Sequence, residues 1–202
     1  IKYVASPFRV YDIDKAQVKG DVQNRVIEQI GDAMAKQIDT DLAAEADKTV
    51  FKTAIAVADD IVSAELQSGF DNFGDNVDTD TFAAIVINPR LRSSFAIMPE
   101  FTDALVTYNK TRGNGLVKNN IIGYYFGVPV ICTANGTYDS TAKECKTYIV
   151  KKDALSYIFQ KNIAYAEAYN PLLLATDISA SSLYAVKLLD ETGIVVLRKT
   201  VV

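Results

Sequence analysis

Val22, Val26, Ile30, Met34, Ile38 and Leu42 recur at every fourth residue between Asp21 and Ala46. That is an apolar stripe at helical period, so the spacing predicts a single amphipathic helix over 21–46, with the stripe winding slowly around its axis. Ala33, Ala35, Ala43 and Ala46 fill the positions between, while Glu28, Asp32, Lys36 and Asp39 take other faces. At 1.5 Å per residue the helix is about 39 Å long, a length suited to a spine or an interface element. Gly31, inside it, costs roughly 1 kcal/mol relative to alanine, which argues for a close neighbour at that turn.

Around this helix the pattern is mixed. Ile1 to Val10 reads as extended, with Pro7 breaking any helix, and a polar turn is expected around Asp12, Asp14 and Gly20. A second helix is predicted over Ile55–Phe70, from the apolar face Ile55, Ala58, Ile61, Val62, Leu66 and Phe70. Thr81 to Ile87 reads as a buried strand, and Asn88-Pro89 starts a short helix over Arg90–Met98 that Pro99 ends. From Leu116 onward the signal is β. Two short strands flank Gly127, Ala134 to Ser140 is a turn-rich loop, and Thr147 to Val150 is a strand. Asp153 to Phe159 fits either a short helix or an extended segment. Ile163 to Tyr169, Leu183 to Leu189 and Ile194 to Val202 are strands, the last two joined by a hairpin turn at Asp190-Glu191-Thr192-Gly193. Helices and strands do not alternate regularly, so the fold class is α+β rather than a doubly wound sheet.

Composition removes several functions. The 202 residues contain no histidine. Ser-His-Asp and Cys-His catalysis and histidine-bearing zinc sites are therefore excluded, and two cysteines cannot build a Cys₄ site. Carboxylate or lysine acid/base chemistry survives this exclusion. A formal net charge of −4 does not advertise nucleic-acid binding, which usually needs a basic face. Cys132 and Cys145 do not make a disulfide framework; a bridge across a hairpin and two free thiols both fit, and free thiols in a reducing cytosol are the expectation. No apolar run reaches the roughly 18–20 residues of a membrane span, and no signal peptide is evident. The first residue is Ile1 rather than Met, so the chain is expected to be processed, trimmed or a fragment.

The apparent motifs fail on inspection. In the acidic stretch Asp71 to Asp80, a calcium loop starting at Asn76 would carry Asp78 and Asp80, but Thr81 and Ile87 stand where Gly and Glu are required. A solvated loop is expected. Arg112-Gly113-Asn114-Gly115 lacks both phosphate-loop signatures and reads as a flexible surface loop. Asp39 and Asp41 point apart on a helix, so with Glu45, Asp47 and the pair Asp59-Asp60 they are expected on exposed helical faces. Tyr124, Tyr125, Tyr157, Tyr165, Tyr169 and Tyr184 fall in or near strands. They fit the edge of a core or a subunit interface equally well. No catalytic, cofactor-binding or metal-ligating set is identified, and the residues alone indicate an α+β structural or assembly protein.

Several segments taken in order resemble the tailed-phage major capsid proteins of the Hong Kong 97 fold. Phe8-Arg9-Val10-Tyr11-Asp12-Ile13-Asp14-Lys15-Ala16-Gln17, followed by a helix ending Asp39-Thr40-Asp41-Leu42-Ala43, resembles the acidic lead-in and spine helix of that family. Ala84-Ile85-Val86-Ile87-Asn88-Pro89 is similar to its strand-to-helix step. Gly115-Leu116-Val117, Ile122-Gly123-Tyr124-Tyr125-Phe126-Gly127-Val128-Pro129-Val130, Lys151-Lys152-Asp153-Ala154-Leu155 and the final strands resemble its later steps. The likeness covers nearly the whole chain. The family's N-terminal arm and extended two-stranded loop have no counterpart here, apart from Ile1 to Ser6 as that loop's returning strand.

The resemblance implies a peripheral domain (residues 1–55 and 160–202, with the spine helix) and an axial domain (56–159). It implies a non-enzymatic shell subunit that needs no cofactor and self-assembles into the pentamers and hexamers of an icosahedral phage or prophage capsid enclosing DNA. Such a chain would be synthesised in the bacterial host cytoplasm and end in the virion, with scaffold, portal or protease proteins as further partners and no specific nucleic-acid or membrane binding. Tyr3 and the loop residues Arg112, Gly113, Asn114 and Gly115 are the candidate subunit-interface residues, the loop lying toward the capsomer axis. An encapsulin-like nanocompartment shell is the nearest alternative, and an enzyme using carboxylate or lysine chemistry the more distant one.

Overall fold

The computed structural model describes residues 1–18, 20–55, 61–75, 78–99 and 120–200. Two units divide the chain: residues 1–39 with 157–187, and residues 40–156 with 188–202.

The first unit holds strand β1 (Lys2–Tyr11), helix α1 (Asp12–Gln17), most of helix α2 (Val22–Ala46), and strands β8 (Leu155–Asn170) and β9 (Ala175–Leu188). Its sheet runs β1-β9-β8. β1 and β9 pair antiparallel from Lys2↔Tyr184 to Tyr11↔Ala175. The predicted long helix is present, and Asp21 caps it: Asp21 Oδ1 accepts from the backbone N–H of Gln23 at 3.1 Å and of Asn24 at 3.2 Å. Val26, Ile30 and Met34 of α2 bury against Val10, Ile178 and Ala180, with Ile163 packed beside them. Apolar positions at period four on the helix thus meet period-two positions on the strands, and the unit is one helix laid on one sheet face. The close neighbour expected at Gly31 is Tyr165, whose hydroxyl would lie 3.4 Å from an added Cβ. The polar turn expected at Asp12 is a short helix instead. Asp12 and Asp14 sit in its first turn, where the helix dipole favours carboxylates, and the Asp12 N–H donates to the Leu174 carbonyl at 2.9 Å.

The second unit is built on a larger sheet in the order β2-β10-β7-β3-β5-β4, with β6 pairing β7. Its strands are β2 (Phe51–Ile55), β3 (Phe82–Ile87), β4 (Ile121–Tyr125), β5 (Val128–Cys132), β6 (Tyr138–Asp139), β7 (Glu144–Lys151) and β10 (Ile194–Thr200). Helices α3 (Ser63–Asp71) and α4 (Arg92–Ile97) accompany it. The central strands β3, β7 and β10 carry Ile85, Ile87, Ile149, Val195 and Leu197, all 1% exposed or less, into one core with Leu66 and Phe95. Gly69 brings α3 onto this sheet: a Cβ there would stand 2.9 Å from Ile149 Cδ1. The strands on either side of Gly127 join through Phe126 (φ 46°) and Gly127 (φ 85°), a two-residue turn with both residues left-handed. Asn88 accepts from the Arg90 N–H at 3.0 Å and starts the turn that Pro89 opens.

Three expectations need correction. The helix expected over Ile55–Phe70 starts at Ser63, and Phe51–Ile55 is strand β2, paired parallel with Val195–Lys199 of β10. A long-range ladder overrides the local helical spacing there. Asp190–Gly193 is a turn, with Asp190 Oδ1 accepting from the Thr192 N–H at 2.9 Å, but it does not close a hairpin. β9 belongs to the three-stranded sheet, and β10 lies between β2 and β7 of the larger one. Asp41 is 6% exposed rather than on an open helical face, because the last turns of α2 are covered: a Cβ on Gly136 would meet the Thr40 backbone and Ala43. Asp39 is exposed, so the two carboxylates do point apart. The segment left open at Asp153–Phe159 is extended from Leu155 onward, as the start of β8. Asp59 and Asp60, like Arg112–Gly115, fall outside the described residues.

Candidate functional site

The densest polar cluster joins the end of α2 to β7. Lys146 Nζ lies 2.5 Å from Asp47 Oδ2 and 3.9 Å from Asp139 Oδ2. Tyr148 donates to Asp47 Oδ1 at 3.2 Å and lies 3.3 Å from the Gly136 carbonyl. Burial, reinforced by the Asp47 charge and hydrogen bond, pushes the Tyr148 phenol well above its ordinary pKa. A lysine, two carboxylates and a tyrosine are the ingredients of acid/base chemistry, but these groups engage one another. One cleft encloses about 320 Å³ between Phe70, Phe82, Phe126 and Val128, with Asp71 its one titratable lining residue among those described. A second, about 300 Å³ between Ile61, Val62, Ile97, Met98 and Pro99, has serines as its polar lining. Neither of these two clefts is lined by a member of the Lys146 cluster, and the contacts of that cluster latch the helix end to its sheet.

The other feature is apolar and exposed. On the first unit, Tyr3, Phe8 and Tyr11 of β1 are 66%, 49% and 45% exposed. Tyr157, Ile158, Tyr165 and Tyr169 on β8 are exposed as well, and so are Leu172, Leu173 and Leu174 in the turn that follows. Polar contacts hold the strands beneath: Arg9 reaches Asp177 across the β1–β9 pairing at 2.5 and 3.0 Å, and Tyr169 donates to Asp12 at 2.9 Å. The bidentate guanidinium lowers the Asp177 carboxyl pKa, and the carboxylate in turn raises that of Arg9. Six tyrosines fit a core edge and an interface equally well by sequence, and the structure divides them. Tyr125 and Tyr184 are buried, Tyr124 is half-buried, and Tyr157, Tyr165 and Tyr169 are exposed. Exposed aromatic and leucine area of this kind, over a hydrogen-bonded sheet, suits contact with another protein.

Of the residues singled out in the sequence, Tyr3 lies on β1 opposite Leu183 and is exposed, whereas Arg112, Gly113, Asn114 and Gly115 lie outside the described residues. The leucine run was overlooked. Its signal is present in the chain: Pro171-Leu172-Leu173-Leu174 places three apolar residues in succession at a turn, where polar residues are the rule. Cys132 and Cys145 are free thiols on β5 and β7, with β3 between those strands. Burial pushes both thiols up in pKa. No group of three or more potential metal-ligating side chains occurs among the described residues.

No family model and no curated protein matches the sequence. Solved structures match nearly all of it. A chain of Mycobacterium phage Che8 superimposes with a TM-score of 0.73 at 19% identity, over 97% of this chain and 70% of that one. The capsid of cyanophage P-SCSP1u gives a TM-score of 0.68 at 13% identity, over 99% of this chain and 72% of that one. The SrpI encapsulin complex from Synechococcus elongatus gives 0.69 at 12% identity, over 98% and 74%. The mixed helix-and-sheet fold is thus that of phage capsid and encapsulin shell proteins.

Proposed function

We propose that this chain is the structural subunit of a phage or prophage capsid, self-associating into pentamers and hexamers that close an icosahedral shell around DNA. The observation that carries this reading is the extent of the fold match, 97–99% of the chain against 70–72% of the phage chains, so that the likeness is to most of a subunit and not to a shared motif. In this reading residues 1–55 and 160–202 are the peripheral domain and 56–159 the axial domain, with α2 as the spine. Tyr3 and the 112–115 loop then contribute to subunit contacts. Head-to-tail contacts around a five- or six-fold axis close into rings, and many weak contacts per subunit sum to a stable lattice. The acidic balance of the sequence, net charge −4, suits a wall that surrounds DNA without binding it tightly. The encapsulin match supports a second reading, a nanocompartment shell.

Light scattering on the intact gene product, followed by nuclease treatment and analysis of the particle contents, tests both. Large particles with nuclease-protected DNA support the capsid. Particles holding a protein cargo and no DNA support the nanocompartment. A monodisperse monomer at all concentrations contradicts both.

A further inference from the structure

The cleft of about 320 Å³ beside α3 is walled by three aromatic rings, Phe70, Phe82 and Phe126, with Asp71, Gln67 and Thr79 as its polar lining. All of these lie in the second unit. An aromatic face is the negative part of the ring quadrupole and attracts a cation. The same aromatic cluster already holds one. Phe82 packs edge-on against Phe70 and Phe73, with centroids 5.1 and 5.2 Å apart, and Lys151 Nζ stands 4.5 Å from the Phe73 centroid. Lys151 does not line the cleft, and among the described residues no other lysine or arginine does.

The polar side of the cleft is acidic. Asp71 closes α3, whose last turn contains no basic residue. That end of a helix is the negative end of its dipole, where a cation is favoured and a carboxylate is not. Asn72 caps it without bringing charge, its Nδ2 donating to the Ser68 carbonyl at 2.9 Å. Asp78 and Asp80, on either side of Thr79, are exposed. Phe126 is a separate mark. It is 48% exposed, on left-handed backbone (φ 46°) that suits Asn or Gly and that a bulky aromatic rarely adopts. Closing the turn requires no ring there, yet Tyr125 holds this one edge-on, with centroids 4.7 Å apart. Strain kept at a cleft wall is a mark of function rather than of folding.

We infer that this cleft receives one arginine side chain from an exposed basic segment of a different protein that docks on the second unit. A guanidinium stacks flat on a phenylalanine ring while its N–H groups donate to a carboxylate, which a lysine ammonium does less well. A different protein is favoured over a second copy because this chain carries a net charge of −4, so that a copy brings like charge to an acidic rim. The inference holds whatever the shell encloses.

Saturation-transfer NMR of the intact gene product, as particles or as subunits, tests it with the capped peptide Gly-Arg-Gly as probe. The expected result is saturable binding with a Kd on the order of 1 mM, about tenfold tighter than for the uncharged citrulline peptide and tighter than for the lysine peptide. Asp71→Asn and Phe126→Asn should each weaken it about fivefold or more. Asp32→Asn, at an exposed carboxylate of α2, should leave it unchanged. Phe126→Asn should also keep the thermal midpoint near wild type, because asparagine suits the turn. No saturable binding, equal binding of the arginine and citrulline peptides, or equal weakening by Asp32→Asn overturns the inference. So does a midpoint that falls in Phe126→Asn, which would assign the ring to packing. Subunits that never assemble still bind or fail to bind the peptide, so the inference and the shell reading fail separately.

Discussion

Lys146 Nζ and Asp47 Oδ2 are 2.5 Å apart, and their side chains keep only 11% and 23% of their exposure. The pair connects the residue that follows α2 to the middle of the larger sheet, with Tyr148 closing the same carboxylate. Removing one member of such a pair leaves the other charge poorly solvated. Asp47→Ala is therefore expected to lower stability by about 2–3 kcal/mol, below the value for a fully buried pair because the aspartate is partly wet. Lys146→Met keeps the volume and leaves the more exposed partner alone, at a cost of about 1 kcal/mol. Urea unfolding of the two variants gives the ordering, and equal losses would argue against a latch.

Tyr148 sets an alkaline limit. Its folded pKa lies above the unfolded value, so the stability it contributes is whole below about pH 10, the ordinary tyrosine pKa, and declines as pH rises beyond it. Thermal midpoints from pH 8 to 11 should fall more steeply in wild type than in Tyr148→Phe. The variant starts lower by about 1 kcal/mol, having lost the hydrogen bond to Asp47.

Gly136 combines left-handed backbone (φ 69°) with close packing. An added Cβ would lie 2.4 Å from Ala43 Cβ and 3.3 Å from Thr40 Cα. Gly136→Ala is expected to destabilise by about 2–4 kcal/mol, the sum of backbone strain and overpacking at a helix that cannot move aside cheaply. Chemical denaturation measures this, and a change under about 0.5 kcal/mol, the scale of an ordinary surface substitution, would contradict the close approach.

The thiols are unbridged, and burial raises both pKa values. Reducing agent should leave the thermal midpoint unchanged. In native protein at neutral pH a thiol reagent should react with half-buried Cys132 before buried Cys145, and both more slowly than in denaturant. A midpoint that drops on reduction would show a disulfide instead.

Legibility of the fold varied with how local its causes were. α2 was readable to within a residue because its apolar spacing and its Asp21 cap lie within the helix's own sequence. β2 was not, because Phe51–Ile55 becomes a strand only through β10, more than a hundred residues away. For the same reason the last two strands looked like a hairpin: the Asp190–Gly193 turn is a local signal, and nothing local says that the strands on either side part into different sheets. Asp41 is charged and helical, which reads as exposed, yet it lies in the last turns of α2, where a loop packs close against Thr40 and Ala43. The exposed surface was legible in part. Tyr3 was singled out, while the leucines at 172–174 went unread although their turn position was visible in the sequence.

The central claim is that copies of this chain tile into a closed shell. Negative-stain electron microscopy of the intact gene product, expressed alone and together with neighbouring scaffold or protease genes, tests it most directly. The account predicts closed particles, or rings of five and six subunits. Monomers under both conditions would contradict it.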